Sequence, residues 1–326
     1  MRTFEHHQAR SIPEAIQYME RYGGRARLNA GGTDLLGVLK GDLFSEYPEA
    51  IINLKTIPNL QYIREKHQTL EIGALTKLVD IIESPLIRER YPVLSEAARS
   101  IGSPQIRNIA TLGGNLCQEV RCWYYRYPRN IGGPILCLRK GRGSCPALKG
   151  DHRFHAIMGA KKCFAVCPSD MATALAVLDA KLLIAGPEGT REVLVTDFYH
   201  PLGHGLKKSE VLKEIRVPSL KAPAYQRFIK FTLREPIDFA VVSVAIHVVL
   251  TAGKCEKARI SLGAVAPSPV RAYEAEKIIM GKTIVEDLAQ EAAEMALKRA
   301  KPLSQNGYKV EIAKTLIKRA IFGSVN

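Results

Sequence analysis

AGGTDLL at residues 30–36 and IRNIATLGGN at residues 106–115 are the two stretches whose reading decides this chain. Paired glycines let a backbone approach a ligand closely, and successive free N–H groups form a nest for an anion. Thr33, Thr111 and Asn115 flank the pairs with side chains that can add hydrogen bonds. Neither stretch has the GxGxxG spacing of a dinucleotide fold or the GxxxxGK[ST] of a P-loop, which argues against Rossmann binding and against ATP hydrolysis. A glycine pair is also the default way to make a turn. Two such loops, each following an apolar segment, favour one extended phosphate-bearing ligand gripped at both ends.

Outward from these loops, the chain reads as alternating helices and strands. Ser11 as N-cap, Pro13 in the first turn and Gly23-Gly24 at the end predict a helix. Arg25 to Asn29, Ala50 to Leu54 and Thr69 to Leu75 predict strands, and Lys77 to Ser100 one long amphipathic helix. Met171 to Leu178 predicts a helix, and Lys181 to Ala185 with Arg191 to Val195 a hairpin around GPEG. From Pro218 on, strands at Tyr225 to Phe231, Phe239 to Leu250 and Ala258 to Val265 precede helices at Val270 to Met280, Val285 to Lys301 and Tyr308 to Phe322. Strands followed by helices indicate an α+β unit.

The chain has 326 residues, 46% hydrophobic and 24% charged, as expected for a globular protein of two or three subdomains. No apolar run approaches the roughly 20 residues of a membrane helix, and the start MRTFEHHQARSIPEA lacks a signal-peptide pattern, so a cytoplasmic protein with no membrane partner is expected. A net charge of +15 suits nucleic acid, an acidic partner or an anionic cofactor. Without a ribonucleoprotein motif or zinc-finger spacing, no nucleic-acid partner is expected.

Six of the seven cysteines fall between Cys117 and Cys167, where helix and strand periods vanish. Clustered thiols in a chain without a signal argue for metal over disulfides. A long segment without regular structure is usually functional. The spacings of Cys122, Cys137, Cys145 and Cys163 contain no C-x2-C knuckle and suit a loop wrapped around an iron–sulfur cluster, although structural zinc also takes four thiolates. His152 and His155 are either zinc ligands or surface and hydrogen-bonding residues. Trp123, Tyr124 and Tyr125 either shield a cluster or simply pack.

With CPSDMATALAVLDA at 167–180 added, the three ordered motifs resemble the FAD-binding medium subunits of the xanthine dehydrogenase and carbon monoxide dehydrogenase family of molybdenum hydroxylases. The resemblance implies an α+β fold. A two-part FAD-binding domain of the vanillyl-alcohol oxidase-like (PCMH) type would span residues 1–217, split near residue 55, with an insert at about 116–165. A C-terminal domain of the CO dehydrogenase flavoprotein type would span 218–326. It implies that Asn29, Ala30, Gly31, Gly32, Thr33, Asp34 and Leu35 cradle the FAD pyrophosphate. Thr111, Leu112, Gly113, Gly114 and Asn115 would hold its other side, with Ser103, Asp170 and Lys230 nearby.

The insert is similar to that of 4-hydroxybenzoyl-CoA reductase β subunits within this family. It implies a [4Fe–4S] cluster on Cys122, Cys137, Cys145 and Cys163. One departure is the added stretch DHRFHAIMGAKK at 151–162, which brings Cys167 into competition; Cys163 is preferred by its place relative to PSD, and Cys117 is taken as a packed thiol. No catalytic side chains stand out, which suits an electron-transfer subunit. The implied partners are a large molybdenum-cofactor subunit, a small subunit with two [2Fe–2S] clusters, assembly as a dimer of heterotrimers, and a ferredoxin or similar carrier. Arg139, Lys140, Arg142, Lys149, Lys161 and Lys162 would suit docking an acidic carrier, or form a solvated basic loop. The alternatives are a xanthine or purine dehydrogenase-type subunit using NAD+ or another acceptor, and a zinc-stabilised nucleotide-binding module.

Overall fold

The computed structural model describes residues 1–129, 131, 135–220, 222–235 and 237–325. Its first unit is a parallel three-stranded sheet of β1 (Glu5–Gln8), β2 (Ala26–Asn29) and β3 (Ala50–Asn53), with β3 in the middle. The helix Ile12–Arg21 joins β1 to β2 and begins as its sequence predicts: the Glu14 N–H donates to the Ser11 hydroxyl at 3.2 Å, and Pro13 sits in the first turn. β2 ends at Asn29, which places the first glycine loop at the carboxyl end of the parallel strands.

The second unit is antiparallel. It contains β4 (Ile63–Lys66), β5 (Thr69–Gly73), β6 (Lys181–Gly186) and β7 (Gly189–Leu194). A two-stranded ribbon of β8 (Tyr199–His200) and β9 (Gly203–His204) precedes β10 (Val211–Pro218), which is the centre of the order β4-β5-β10-β6-β7. β10 carries no periodic signal because Lys213, Glu214 and Arg216 break its apolar run. Buried Glu214 is kept by partners: it accepts from Arg216 Nε at 2.6 Å and from the Tyr62 hydroxyl. β1, β4 and the β8–β9 ribbon are likewise too short or too polar for a periodic signal.

The expected long helix from Lys77 to Ser100 is instead three, Leu78–Glu83, Pro85–Arg90 and Pro92–Arg99. Each proline opens a new helix because it has no N–H to donate and its ring disfavours helical geometry in the residue before it. The Ser84 hydroxyl caps the second at Ile87 N–H, 3.4 Å. Similarly, 106–115 holds the ends of two short helices, Pro104–Arg107 and Leu112–Leu116.

The third unit is an antiparallel sheet, β11 (Tyr225–Phe231), β12 (Val242–Thr251), β13 (Lys254–Gly263) and β14 (Val270–Arg271), in that order. The β12–β13 turn carries Ala252 at φ 49° and Gly253 at φ 76°, the paired left-handed residues of a tight hairpin. Val270, expected to open a helix, pairs in β14 instead, and the helix begins at Tyr273. Val242, Val244, Ile246 and Val248 pack under the helices Tyr273–Ile279, Glu286–Leu297 and Tyr308–Phe322. Ala245, on the opposite face, joins the core of the second unit. Across this seam Gln226 Nε2 donates to Arg90 O at 2.9 Å, Lys230 Nζ to Ser100 O at 2.8 Å and Arg271 Nη1 to Ala176 O at 3.1 Å, satisfying carbonyls at helix C-terminal ends.

The insert is irregular apart from single turns at Trp123–Arg126, Leu138–Lys140 and Pro146–Leu148. Its later part docks on the third unit. Lys309 Nζ donates to the carbonyls of Ala264 (2.7 Å) and His155 (3.0 Å), and Asn306 Nδ2 to His155 O at 3.1 Å. Among the described residues no helix is long and apolar enough to cross a membrane.

Candidate functional site

A cavity of about 530 Å3 opens where the first glycine loop, the second glycine loop and the β8–β9 ribbon meet. That is an ordinary size for a cofactor site. Asn29 to Leu35 all line it. A Cβ on Gly31 would stand 2.3 Å from the Ile109 carbonyl oxygen, so the two loops touch backbone to backbone only because residue 31 has no side chain. Gly32 lies at φ 71°, which favours glycine. Among the described residues no acceptor meets the N–H groups of Gly31, Gly32, Thr33 and Asp34, so they form an open nest for an anion. Asn29 Oδ1 is buried without a protein partner, as an acceptor kept for a ligand donor would be.

The second loop works differently. Its N–H groups are already used: Leu112 donates to Thr76 O and Gly113 to Ala74 O, both at 2.8 Å, and Gly114 to the Thr111 hydroxyl at 3.1 Å. Thr111, Gly113 and Gly114 line the cavity, whereas Leu112 lies in the core and Asn115 Oδ1 accepts from the Ser169 hydroxyl at 2.7 Å. Ser103 caps the Pro104–Arg107 helix at Ile106 N–H and does not line the cavity. The gripping is therefore asymmetric, with donors on one side and a smooth, closely approachable wall on the other.

Asp170 and Lys230 meet as a buried ion pair at 2.9 Å, joining the PSD segment to β11. Burial pushes the Asp170 carboxyl up from its usual value, and the Lys230 ammonium opposes this. Asp170 lines a second, smaller cavity of about 280 Å3 between the insert and the third unit, with Trp123, Phe154 and Phe239 among its walls. Cys167 and Pro168 line both cavities, so the two lie on either side of the PSD turn.

Two sequence profiles match this architecture: the FAD binding domain in molybdopterin dehydrogenase over residues 2–220, and the CO dehydrogenase flavoprotein C-terminal domain over 227–322. The chain belongs to the FAD-binding subunits of the molybdenum hydroxylases. It is 32% identical over 324 residues to the aldehyde oxidoreductase FAD-binding subunit PaoB of Escherichia coli K12, covering 96% of each chain. To the carbon monoxide dehydrogenase medium chain of Hydrogenophaga pseudoflava it is 30% identical over 325 residues, 98% of this chain and 96% of that one. Among solved structures, carbon monoxide dehydrogenase from Hydrogenophaga pseudoflava superposes with a TM-score of 0.79 at 28% identity, over 99% of this chain and 98% of the other. Quinoline 2-oxidoreductase from Pseudomonas putida 86 gives 0.78 at 26% identity, over 99% and 97%. The chain is thus a FAD-binding oxidoreductase subunit with the expected pair of domains, and the nest and the orphan acceptor fit that cofactor.

In the insert, Cys137 and Cys163 share one small core with Val38, Leu43, Val120 and Tyr125, and the partly buried Cys122 packs against it. Cys145 is half-buried outside that core. Cys167 belongs to the core of the FAD domain, and burial pushes its thiol up to about 12. Burial does the same to Cys117. Among the described residues no three His, Cys, Asp or Glu side chains are grouped as a metal site needs. The histidines are not surface residues. His152 bonds Ala147 O at 2.8 Å and accepts from Gln305 N–H at 3.0 Å, and His155 Nε2 lies 3.2 Å from Cys122 Sγ. Burial holds His155 down at about 4. Trp123 Nε1 donates to Asp151 O at 3.2 Å, and Tyr125 is buried beside the thiols.

The expected basic docking face is smaller than its composition suggests. Lys140 is buried and donates to Tyr127 O at 2.9 Å. Arg139 turns inward, donating to Pro201 O of the β8–β9 ribbon at 3.0 Å and to Cys163 Sγ at 3.4 Å, because each side chain finds acceptors beneath the loop. Arg142, Lys149, Lys161 and Lys162 stay exposed. Arg139, Tyr199 and His204 line the FAD cavity without any spacing signal, since each reaches it from a segment distant in sequence.

Proposed function

We propose that this chain is the electron-transfer subunit of a 4-hydroxybenzoyl-CoA reductase-like complex in the cytoplasm, with residues 1–217 binding FAD and 218–326 closing the site. Its partners would be a large molybdenum-cofactor subunit and a small subunit with two [2Fe–2S] clusters, in a dimer of heterotrimers, and a ferredoxin-like carrier. The insert would hold a [4Fe–4S] cluster on Cys122, Cys137, Cys145 and Cys163. The observation that carries this reading is that Cys137 and Cys163 share one small buried core, with Cys122 packed against it, and that this core also contains Val38, from the helix directly after the FAD loop. Four thiols are the donor set of such a cluster. Cys145 would close the set from the exposed side, and Arg139 already donates toward Cys163 Sγ at 3.4 Å, as hydrogen bonds to cluster sulfurs do.

FAD and the cluster, when bound, supply the redox chemistry. The chain's own groups orient and insulate them. The nest of Gly31 to Asp34 would take the pyrophosphate. Thr111, Gly113 and Gly114 would form the opposing wall, and Asp170, which lines the second cavity and pairs with Lys230, would meet the cofactor where it extends past the PSD turn.

The test is the iron and sulfide content of full-length protein purified without oxygen. We expect about four of each per FAD, with broad iron–sulfur absorption beneath the flavin bands. Cys145→Ser and Cys163→Ser should lose iron and keep flavin, and Cys167→Ser should keep both. A yellow, iron-free protein would overturn the cluster, zinc in its place would favour a structural insert, and iron lost only in Cys167→Ser would overturn the ligand choice.

A further inference from the structure

The carboxylate of Asp34 does not face the anion nest of its own loop. Its Oδ2 accepts from the Glu119 N–H at 2.7 Å, and its Oδ1 pairs with both Arg121 and Arg126 at 2.7 Å. All three partners lie at the start of the insert. Arg126 is further fixed by donating from Nε to Val120 O at 2.8 Å and from Nη2 to Glu119 O at 3.0 Å. Arg121 lies over the Phe239 ring at 4.4 Å, and so reaches the third unit as well. Nearby, Arg129 N–H donates to Gly41 O at 3.0 Å and its Nη2 to Phe44 O at 3.0 Å, stitching the insert to the chain after the FAD loop. Val38 and Leu43 then complete the core around Cys137 and Cys163.

We infer that Asp34 is a positioning residue that couples FAD binding to the folding of the cysteine insert. Its backbone N–H belongs to the nest while its side chain holds the insert, so one residue belongs to both structures. Ordering the nest around an anion fixes the backbone of Asp34 and therefore the carboxylate on which Glu119, Arg121 and Arg126 converge. Coupling of this kind is reciprocal: if FAD orders the insert, an ordered insert tightens FAD by the same factor. The inference rests on FAD binding alone and is independent of whether the insert carries a metal. It gives the insert a role for the flavin even without a cluster, as the outer support of the phosphate loop.

The test uses the full-length protein with and without FAD. Flavin fluorescence quenching reads the FAD affinity, and trypsin cleavage after the exposed Arg142, Lys149, Lys161 and Lys162 reads the order of the insert. FAD should slow cleavage of the wild type on the order of tenfold, within the usual range for coupled sites. Asp34→Asn should weaken FAD by a similar factor and abolish the protection. Arg126→Gln, which leaves Arg121 and the Glu119 N–H in place, should show a smaller loss of both, and Arg126→Lys should recover part of it. General destabilisation would speed cleavage with and without FAD alike; coupling changes the ratio of the two rates. A wild-type ratio near one, or an Asp34→Asn or Arg126→Gln protein that keeps the wild-type ratio, overturns the inference.

Discussion

Lys309 is fully buried at the start of the last helix, and replacing it with Met should release the insert from the third unit. Its Nζ lies 2.7 Å from Ala264 O, 3.0 Å from His155 O and 3.4 Å from Phe154 O. Met keeps most of the apolar stem and removes every donor. The two nearer carbonyls then stay buried without that partner, at about 1–3 kcal/mol each, or roughly 2–6 kcal/mol together. Asn306 still serves His155 O, so we expect a loss near the lower part of that range, about 3 kcal/mol. A melting curve of a multi-domain chain would blur this, so the assay is local hydrogen exchange. Ala156 N–H is bonded to Phe164 O, and Ile157 and Met158 N–H to Val265 O, at 2.8, 2.9 and 3.1 Å. If these amides exchange by local opening, about 3 kcal/mol speeds them on the order of a hundredfold, while β12 amides stay protected.

Burial also pushes the Lys309 ammonium down to about 7. The neutral amine keeps two N–H donors, enough for the two nearer carbonyls. The folded pKa lies below the unfolded one, so between about 7 and 10.5 the unfolded chain holds the extra proton. Stability of the wild type relative to Lys309→Met therefore rises with pH through that window, at up to about 1.4 kcal/mol per unit, and is flat below it. Wild-type exchange rates for residues 156–158 in Lys309→Met would refute the anchoring argument. A pH-independent difference between the two proteins would refute the titration.

Two further substitutions probe the site and the seam. Gly31→Ala places a methyl group against Ile109 O and the Ala110 backbone, neither of which can swing aside as a side chain would. It should part the two loops and weaken FAD by about 1–3 kcal/mol, a typical overpacking cost, and flavin retention after gel filtration checks it. His247 is buried on β12 with neither ring nitrogen partnered among the described residues, and burial holds it at about 4. Its folded pKa is below the unfolded value of 6.5, so it contributes stability above about 6.5 that is lost as the pH falls toward 4. His247→Leu should flatten the acid dependence of β12 amide protection, read by local hydrogen exchange, without loss at neutral pH; an unchanged dependence would exclude His247 as its source.

Much of the site was legible from local chemistry. Gly31 and Gly32 are required by a backbone contact and a left-handed torsion, and such requirements leave glycine in the sequence. The helix after Ser11 and the hairpin around GPEG are set by caps and turn residues within a few positions, and both are present as their sequences predict. β10 carries no such signal, because its buried Glu214 is tolerated only through Tyr62 and Arg216, a compensation that local periodicity does not reveal. The helix from Lys77 failed in the opposite way: its apolar spacing was real, but Pro85 and Pro92 had to outrank it.

By itself the sequence determined the motifs: two glycine loops and a PSD turn, set by short-range requirements on backbone conformation, and a cysteine-rich insert, marked by its composition. Only the tertiary structure decided how they are used. It left the donors of the first loop open and bonded those of the second to Ala74, Thr76 and Thr111. It turned Asp34 away from the nest toward Arg121 and Arg126, and buried Arg139 and Lys140 instead of displaying them. The physical reason is that a charged or polar group commits to whichever partner reaches it in the folded chain, and such partners lie far away in sequence, 92 residues for Arg126 and Asp34 and 154 for Lys309 and His155.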